Sequence, residues 1–319
     1  MTNTNWHGKP YYSLDAYCKN TFQHKCYKIA LDAGFTCPNR DGTIGNSGCI
    51  FCSAGGSGDF AAKGSSITDQ IQQGKALWGE KKVGEHFIAY FQAYTNTYGP
   101  LPYLESIYKA ALDQPDIKGI SIATRPDCLG EEVLQLLDTL QKQYPHKFIW
   151  VELGLQTIHE DTAKYIRRGY ELSCFEEAVS GLNHYHIPWI VHVILGLPRE
   201  TPEAVYETIR YLNKHKPFGI KLQLLHVLAG TDLAKDYEQC FFEALTKEEY
   251  LEMLIHSLEL LSPDIVIHRL TGDGPKDLLL APLWSRNKKD VLNSLHREMR
   301  LRGTYQGRLF HAARPIDTL

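Results

Sequence analysis

Residues 34 to 52 read Gly-Phe-Thr-Cys-Pro-Asn-Arg-Asp-Gly-Thr-Ile-Gly-Asn-Ser-Gly-Cys-Ile-Phe-Cys and place Cys37, Cys49 and Cys52 in the spacing C-x11-C-x2-C. The segment between the first two cysteines is polar and carries Gly42, Gly45 and Gly48. It can turn tightly without strain, and a tight turn brings three thiolates onto one small object. The number of ligands is informative. A closed zinc site takes four protein ligands, and no obvious fourth stands at a matching spacing. A [4Fe-4S] cluster held by three thiolates keeps one iron open to another ligand. A structural zinc loop borrowing a distant His is the competing reading.

The chain around this loop has a regular rhythm. Strands are predicted at 27–32, 86–92, 119–123, 147–153, 189–195 and 219–225. Helices are predicted over 66–78, 101–112, 131–143 and 201–215, with two more near 159–167 and 173–185. In 101–112 the apolar residues Leu104, Ile107, Tyr108 and Ala111 follow the helical period. Six strands alternating with helices require parallel pairing, because each helix returns the chain to the same edge. Several strands are apolar almost throughout, as strands covered on both faces are. No G-x-G-x-x-G follows the first strand, which favours a partial barrel over an open Rossmann sheet. The cysteine loop follows the first strand and so falls on the C-terminal rim, where barrel sites collect.

Beyond the sixth strand come a helix over 246–261, a short strand at 265–269, a turn-rich stretch at 271–275 and a basic helix over 288–301. The expected division is an N-terminal extension at 1–26, a core barrel at 27–245 and a C-terminal extension at 246–319. No repeat, low-complexity stretch or flexible linker marks another boundary.

The 319 residues are 43% hydrophobic, enough for a large core, and the net charge of −3 excludes a polycation. The charge is uneven. Residues 284–319 carry eight Lys and Arg against three acids, a basic tail on an acidic body and a candidate phosphate contact. A solvated surface helix is the plainer account. There are eight cysteines, no apolar leader segment and no run long enough to span a membrane. A cytoplasmic protein with reduced thiols is expected, so clustered cysteines point to metal. Cys18, Cys26, Cys128, Cys174 and Cys240 are scattered and read as structural thiols.

Cys-Ile-Phe-Cys, with an aromatic before the last cysteine, resembles the cluster loop of radical S-adenosylmethionine (SAM) enzymes. The usual spacing there is C-x3-C-x2-C, and this chain has eight extra residues in the first gap. The longer gap is similar to the radical SAM domain of the elongator catalytic subunit. The opening Cys-Pro-Asn-Arg-Asp-Gly is closer still to the YtqA/YhcC-like bacterial branch. Leu153-Gly-Leu-Gln156-Thr, Arg167-Arg-Gly169-Tyr, Gly196-Leu-Pro198 and His268-Arg269-Leu also look like that branch. The resemblance spans about Lys28 to Gly307.

The resemblance implies an α/β fold, a partial (β/α)6 TIM-type barrel. It implies reductive cleavage of SAM at a [4Fe-4S] cluster held by Cys37, Cys49 and Cys52, with a one-electron donor such as flavodoxin or ferredoxin. Phe51 would lie near adenine. Gln92 and Tyr94 stand where the family carries a methionine-binding Gly-Gly-Glu segment, here without its glycines. Thr124 and Arg125 end the third strand, and Arg125 would pair the SAM carboxylate or make a rim salt bridge. Glu152 and Gln156 resemble ribose- and methionine-binding residues, and Gly196 the adenine-supporting turn. A buried Glu152 needs a donor. His192, Gln223 and His226 come near the barrel mouth. His268, Arg269, Asp273 and Lys276 form a charged, turn-rich group expected to touch substrate, with Arg269 as a carboxylate clamp unless it pairs with Asp273. The implied substrate is tRNA: conversion of 5-carboxymethylaminomethyl uridine to 5-aminomethyl uridine at the wobble position. The alternatives are a small-molecule enzyme of the coproporphyrinogen-oxidase type and an iron-sulfur protein that binds RNA or senses redox state.

Overall fold

The computed structural model describes residues 6–62, 64, 66–79, 86–272 and 274–310. Its strands are β1 (Tyr27–Leu31), β2 (Phe87–Phe91), β3 (Ile117–Thr124), β4 (Phe148–Gln156), β5 (Trp189–Leu195), β6 (Gly219–Leu224), β7 (Val227–Leu228), β8 (Val266–Arg269) and β9 (Leu279–Ala281). The helices are α1 (Leu14–Phe22), α2 (Ile67–Gly79), α3 (Leu101–Leu112), α4 (Glu131–Gln143), α5 (Glu160–Tyr165), α6 (Leu172–His184), α7 (Pro202–His215), α8 (Asp232–Glu238), α9 (Lys247–Leu260) and α10 (Lys288–Leu301).

Strands β1 to β6 pair in chain order, all parallel, and β8 adds to β6 as a seventh. The sheet therefore continues past residue 245, and β8 of the C-terminal segment, expected to complete the barrel wall, adds to it. Alternate residues face opposite sides. Ile29, Leu31, Phe91, Val151, Val191 and Leu222 face outward in one core with Leu104 of α3, Leu137 of α4, Phe175 of α6 and Ile209 of α7. Each such side chain, fully buried, stabilises the fold by about 1.5–3 kcal/mol. α2 lies so close to β1 that a Cβ on Gly74 would stand 2.3 Å from Ile29 Cγ2.

The concave face is layered. At its base Ile88, Trp150 and Ile190 form an apolar floor, covered by Leu14 and Tyr17 of α1. The Tyr17 ring stands 4.9 Å from Phe218 and 5.9 Å from Trp150, edge-on to both. The polar N-terminal segment thus hides a helix that closes the barrel floor, capped by the Ser13 hydroxyl accepting from the Ala16 amide. The free side of β8 is also covered: Ile267 N–H donates to Tyr12 C=O at 2.7 Å. Gln306, 1% exposed, joins the chain ends. Its amide donates to the carbonyls of Ser262 and Ile265 and accepts from Tyr12 N–H.

Three arginines of the basic tail are engaged by acids of α9 and of α10. Arg302 pairs with Glu252 at 2.7 Å, Arg308 with Glu259 at 2.8 Å, and Arg297 with Glu298 at 3.3 Å. No helix among the described residues is long and apolar enough to cross a membrane.

Candidate active site

The cysteine loop leaves β1 and folds on itself. Cys37 C=O accepts from Arg40 N–H at 2.7 Å, Pro38 C=O from Ile44 N–H at 2.8 Å, and Asn39 C=O from Gly48 N–H at 2.7 Å. Gly48 has φ +73°, and a Cβ there would lie 2.8 Å from Arg40 Nε. The Arg40 guanidinium donates to the carbonyls of Cys52 and Ser53. A second brace comes from the β4–α6 connection. Asn39 Nδ2 donates to the carbonyls of Arg167 and Arg168 at 2.8 and 3.2 Å and approaches Cys49 Sγ at 3.5 Å. Gly169, at φ +84°, leaves room for Asn39: a Cβ would stand 2.5 Å from Asn39 Oδ1. Arg167-Arg168-Gly169-Tyr170 is therefore a support for the loop.

Cys37, Cys49 and Cys52 all open on one cavity of about 180 Å³, with Arg125, Gln156 and Tyr170 on other sides. Burial pushes the Cys49 thiol up to about 12 and raises Cys52, while Arg125 and Arg40, respectively, pull the other way. Thiolates here call for a metal's charge. Among the described residues no three Cys, His, Asp or Glu side chains converge on a single ion. In a four-iron cluster each thiolate takes its own iron. The cavity also holds an orphaned polar atom: Gln156 Oε1 is enclosed and has no hydrogen-bond partner. Three thiols and an unsatisfied amide on one cavity fit a cluster with a polar ligand beside it.

A groove of about 1050 Å³ adjoins this cavity, and its lining includes Lys276, Arg286 and Lys288 together with Asp59 and Asp277. Phe51, Gln92, Gln156, His192, Gln223 and Arg269 line both spaces and mark their junction. Arg269 Nη1 approaches Gln223 Oε1 at 3.5 Å.

The expected site residues separate into groups. Gln92 lines the junction, and its amide donates to Ser57 C=O at 2.6 Å. Tyr94 lines the thiol cavity, with its hydroxyl donating to Ala54 C=O. Thr124 lines the same cavity and shares a hydrogen bond with Thr97. Arg125 makes the rim salt bridge: Nε and Nη2 hold Asp127 at 2.9 and 2.8 Å, and Nη1 donates to Arg168 C=O. Gly196 lies off both spaces; its turn, at φ +86°, packs against Leu245. The expected charged group of His268, Arg269, Asp273 and Lys276 divides. His268 stands 5.4 Å from Trp150 and 5.7 Å from Phe218, ring to ring, with both ring nitrogens enclosed. Burial holds its pKa well below the usual imidazole range. Asp273 lies outside the described residues.

Glu152 is the centre of the site's floor and is fully buried. Its Oε1 accepts from Lys28 Nζ at 2.7 Å and from Ser121 Oγ. Its Oε2 accepts from His192 Nε2 at 2.7 Å and pairs with Lys221 Nζ, which donates in turn to Tyr90 Oη at 2.9 Å. Burial alone would raise the carboxyl, but Lys221 and Lys28 with the His192 hydrogen bond hold it well below the usual range. Sequence reading placed Glu152 here and required a donor for it. It missed Lys28, Ser121 and Lys221. The available signal was a single Lys inside each of two apolar strands, which implies an inward carboxylate.

Residues 40–212 match the radical SAM superfamily and residues 217–300 the radical SAM C-terminal domain. The chain belongs to that superfamily, a family of enzymes that use a [4Fe-4S] cluster and SAM. Among its relatives, YtqA of Bacillus subtilis (strain 168) is 43% identical over 95% of this chain and 93% of its own. A tRNA uridine(34) acetyltransferase of Dehalococcoides mccartyi (strain CBDB1) is 27% identical over 57% of this chain and 40% of its own. The Elp3 structure of the archaeon Methanocaldococcus infernus shares the fold, with a TM-score of 0.68 at 16% identity, over 88% of this chain and 64% of that one. Cys37 precedes the superfamily match, so its place in the cluster loop rests on the cavity it shares with Cys49 and Cys52.

Proposed function

We propose that this enzyme acts on the wobble uridine of tRNA, converting 5-carboxymethylaminomethyl uridine to 5-aminomethyl uridine. The observation that carries this reading is Arg269, a fixed cation lining both the thiol cavity and the open basic groove. A guanidinium at that junction suits a carboxylate, which it can hold bidentately. The groove suits an RNA strand: Lys276, Arg286 and Lys288 are placed for phosphates, and Phe60, 55% exposed on its wall, is placed to stack on a base. The partial likeness to an enzyme named for tRNA uridine(34) supports the choice of RNA.

Bound at Cys37, Cys49 and Cys52, the cluster with SAM supplies a carbon radical able to take a hydrogen atom from a C–H bond. Phe51, Tyr94, Thr124 and Gln156 would surround SAM, while Arg125 and Glu152, whose polar groups are engaged, would shape the cavity from behind. The substrate's NH–CH2–COO⁻ methylene has weak C–H bonds, since a radical there lies between a donor and an acceptor. It loses a hydrogen atom and then an electron to give an imine, with SAM as the net two-electron acceptor. Water adds, the C–N bond breaks, and glyoxylate leaves. The protein's task is to hold the methylene close to the radical carbon.

The test is anaerobic turnover on tRNA deuterated at that methylene, followed by nucleoside mass spectrometry. Deuterium is expected in 5′-deoxyadenosine and 5-aminomethyl uridine in the tRNA. Label retained wholly in the RNA or its released fragment rejects the reading. Arg269→Lys is expected to raise KM for tRNA without lowering iron content.

A further inference from the structure

Lys28 from β1, Tyr90 from β2, Glu152 from β4, His192 from β5, Lys221 from β6 and His268 and Arg269 from β8 are the titratable groups around the floor of the site. Only His192 and Arg269 among them reach the junction of cavity and groove. The Arg269 guanidinium carries only donors and offers no acceptor nitrogen. Glu152 has both oxygens committed to Lys28, Ser121, His192 and Lys221. His192 is different. Its Nε2 faces an ionised carboxylate at 2.7 Å, so that nitrogen carries the hydrogen. In the neutral ring Nδ1 is then an acceptor. The side chain keeps 15% of its surface accessible, on a ring that lines both spaces.

We propose that His192 is the proton acceptor of the reaction and that Glu152 is the residue that positions it. This rests on the reading above. After hydrogen-atom loss the substrate is an NH–CH•–COO⁻ radical. Its N–H proton passes to His192 Nδ1, and an iron-sulfur cluster held by Cys37, Cys49 and Cys52 would take up its unpaired electron, leaving the N=CH–COO⁻ double bond. Water then hydrolyses the imine to the amine and glyoxylate. Removing the proton makes the radical more reducing, so the electron leaves more readily. Burial and the nearby Lys221 lower His192 to about 4, which keeps the ring neutral at physiological pH.

The experiment measures two products in one turnover assay with the deuterated tRNA: labelled 5′-deoxyadenosine and 5-aminomethyl uridine. His192→Gln is expected to lower the ratio of the second to the first by about 100-fold or more, the scale of general-base catalysis. Added imidazole is expected to restore that ratio in His192→Gly, more strongly with more basic imidazoles. An unchanged ratio in His192→Gln, or equal loss of both products, overturns the proposal. Where the variants lose iron or their thermal transition, the wild-type single-turnover pH profile decides. Product formation independent of pH from 6 to 8 supports a neutral acceptor, and a limb rising through pH 7 overturns it. Wild-type enzyme that forms no 5-aminomethyl uridine refutes the substrate reading instead, a separate outcome.

Discussion

At the scale of single residues, the thiols and the floor carboxylate make different demands. Cys37, Cys49 and Cys52 share one cavity, whereas the Cys18 side chain hydrogen-bonds to Cys26 away from it. Alanine at any of the first three should abolish the broad absorbance of a thiolate-bound cluster and lower bound iron. Alanine at Cys18 or Cys26 should do neither, and iron analysis after anaerobic reconstitution checks both. Acid stability follows from His192 and Glu152. Native His192 sits at about 4, below the unfolded value of about 6.5, so between those limits the unfolded chain binds the extra proton. Stability is therefore full above pH 6.5 and falls as pH drops toward 4, by up to about 1.4 kcal/mol per unit for His192, and His268, also held low by burial, adds to the loss. The depressed Glu152 carboxyl adds a further loss below about pH 4.3. Urea midpoints at pH 7, 6 and 5 should decline in the wild type and decline less in His192→Gln.

At the scale of elements, the basic helix α10 and the basic groove part company. Arg297 and Arg302 are paired with Glu298 and Glu252, so the helix face offers less charge to RNA than its sequence suggests. Replacing Arg297, Arg300 and Arg302 by Ala should leave the salt slope of tRNA binding nearly unchanged. Replacing Lys276, Arg286 and Lys288 should flatten it by about 0.7–0.9 per lost phosphate contact. Filter binding across a salt series separates the two. Periodicity made α3, α4 and α10 legible to the residue, because each buries an apolar stripe at the helical spacing. α1 was hidden, since its apolar positions are few and its partners Trp150 and Phe218 lie far along the chain. The β7–β9 pair is two and three residues long, too short to show an alternation. The cysteine ligands were legible because they are local in sequence. The Glu152 network was not, because its members come from six strands and meet only when the sheet curls.

At the scale of the whole molecule, the sheet is an open arc whose last strand is finished by both chain ends. Gln306 reaches Tyr12, Ser262 and Ile265 with one buried amide. Gln306→Ala leaves those backbone groups without their partner and should cost about 1–3 kcal/mol. The measurement is a denaturant midpoint, expected to fall at unchanged m-value. Hydrogen exchange should quicken at Tyr12 N–H, the donor the glutamine accepts from.

The bracing of the cysteine loop by Asn39 on the carbonyls of Arg167 and Arg168 also bears on biogenesis. The ligands leave the ribosome early, but the surface that fixes their loop is made more than a hundred residues later. The thiols of a nascent chain therefore stay unshaped until the fourth strand and the turn after it have emerged. Iron loading therefore waits until about half of the chain has been made, and until then those cysteines depend on the reducing power of their surroundings.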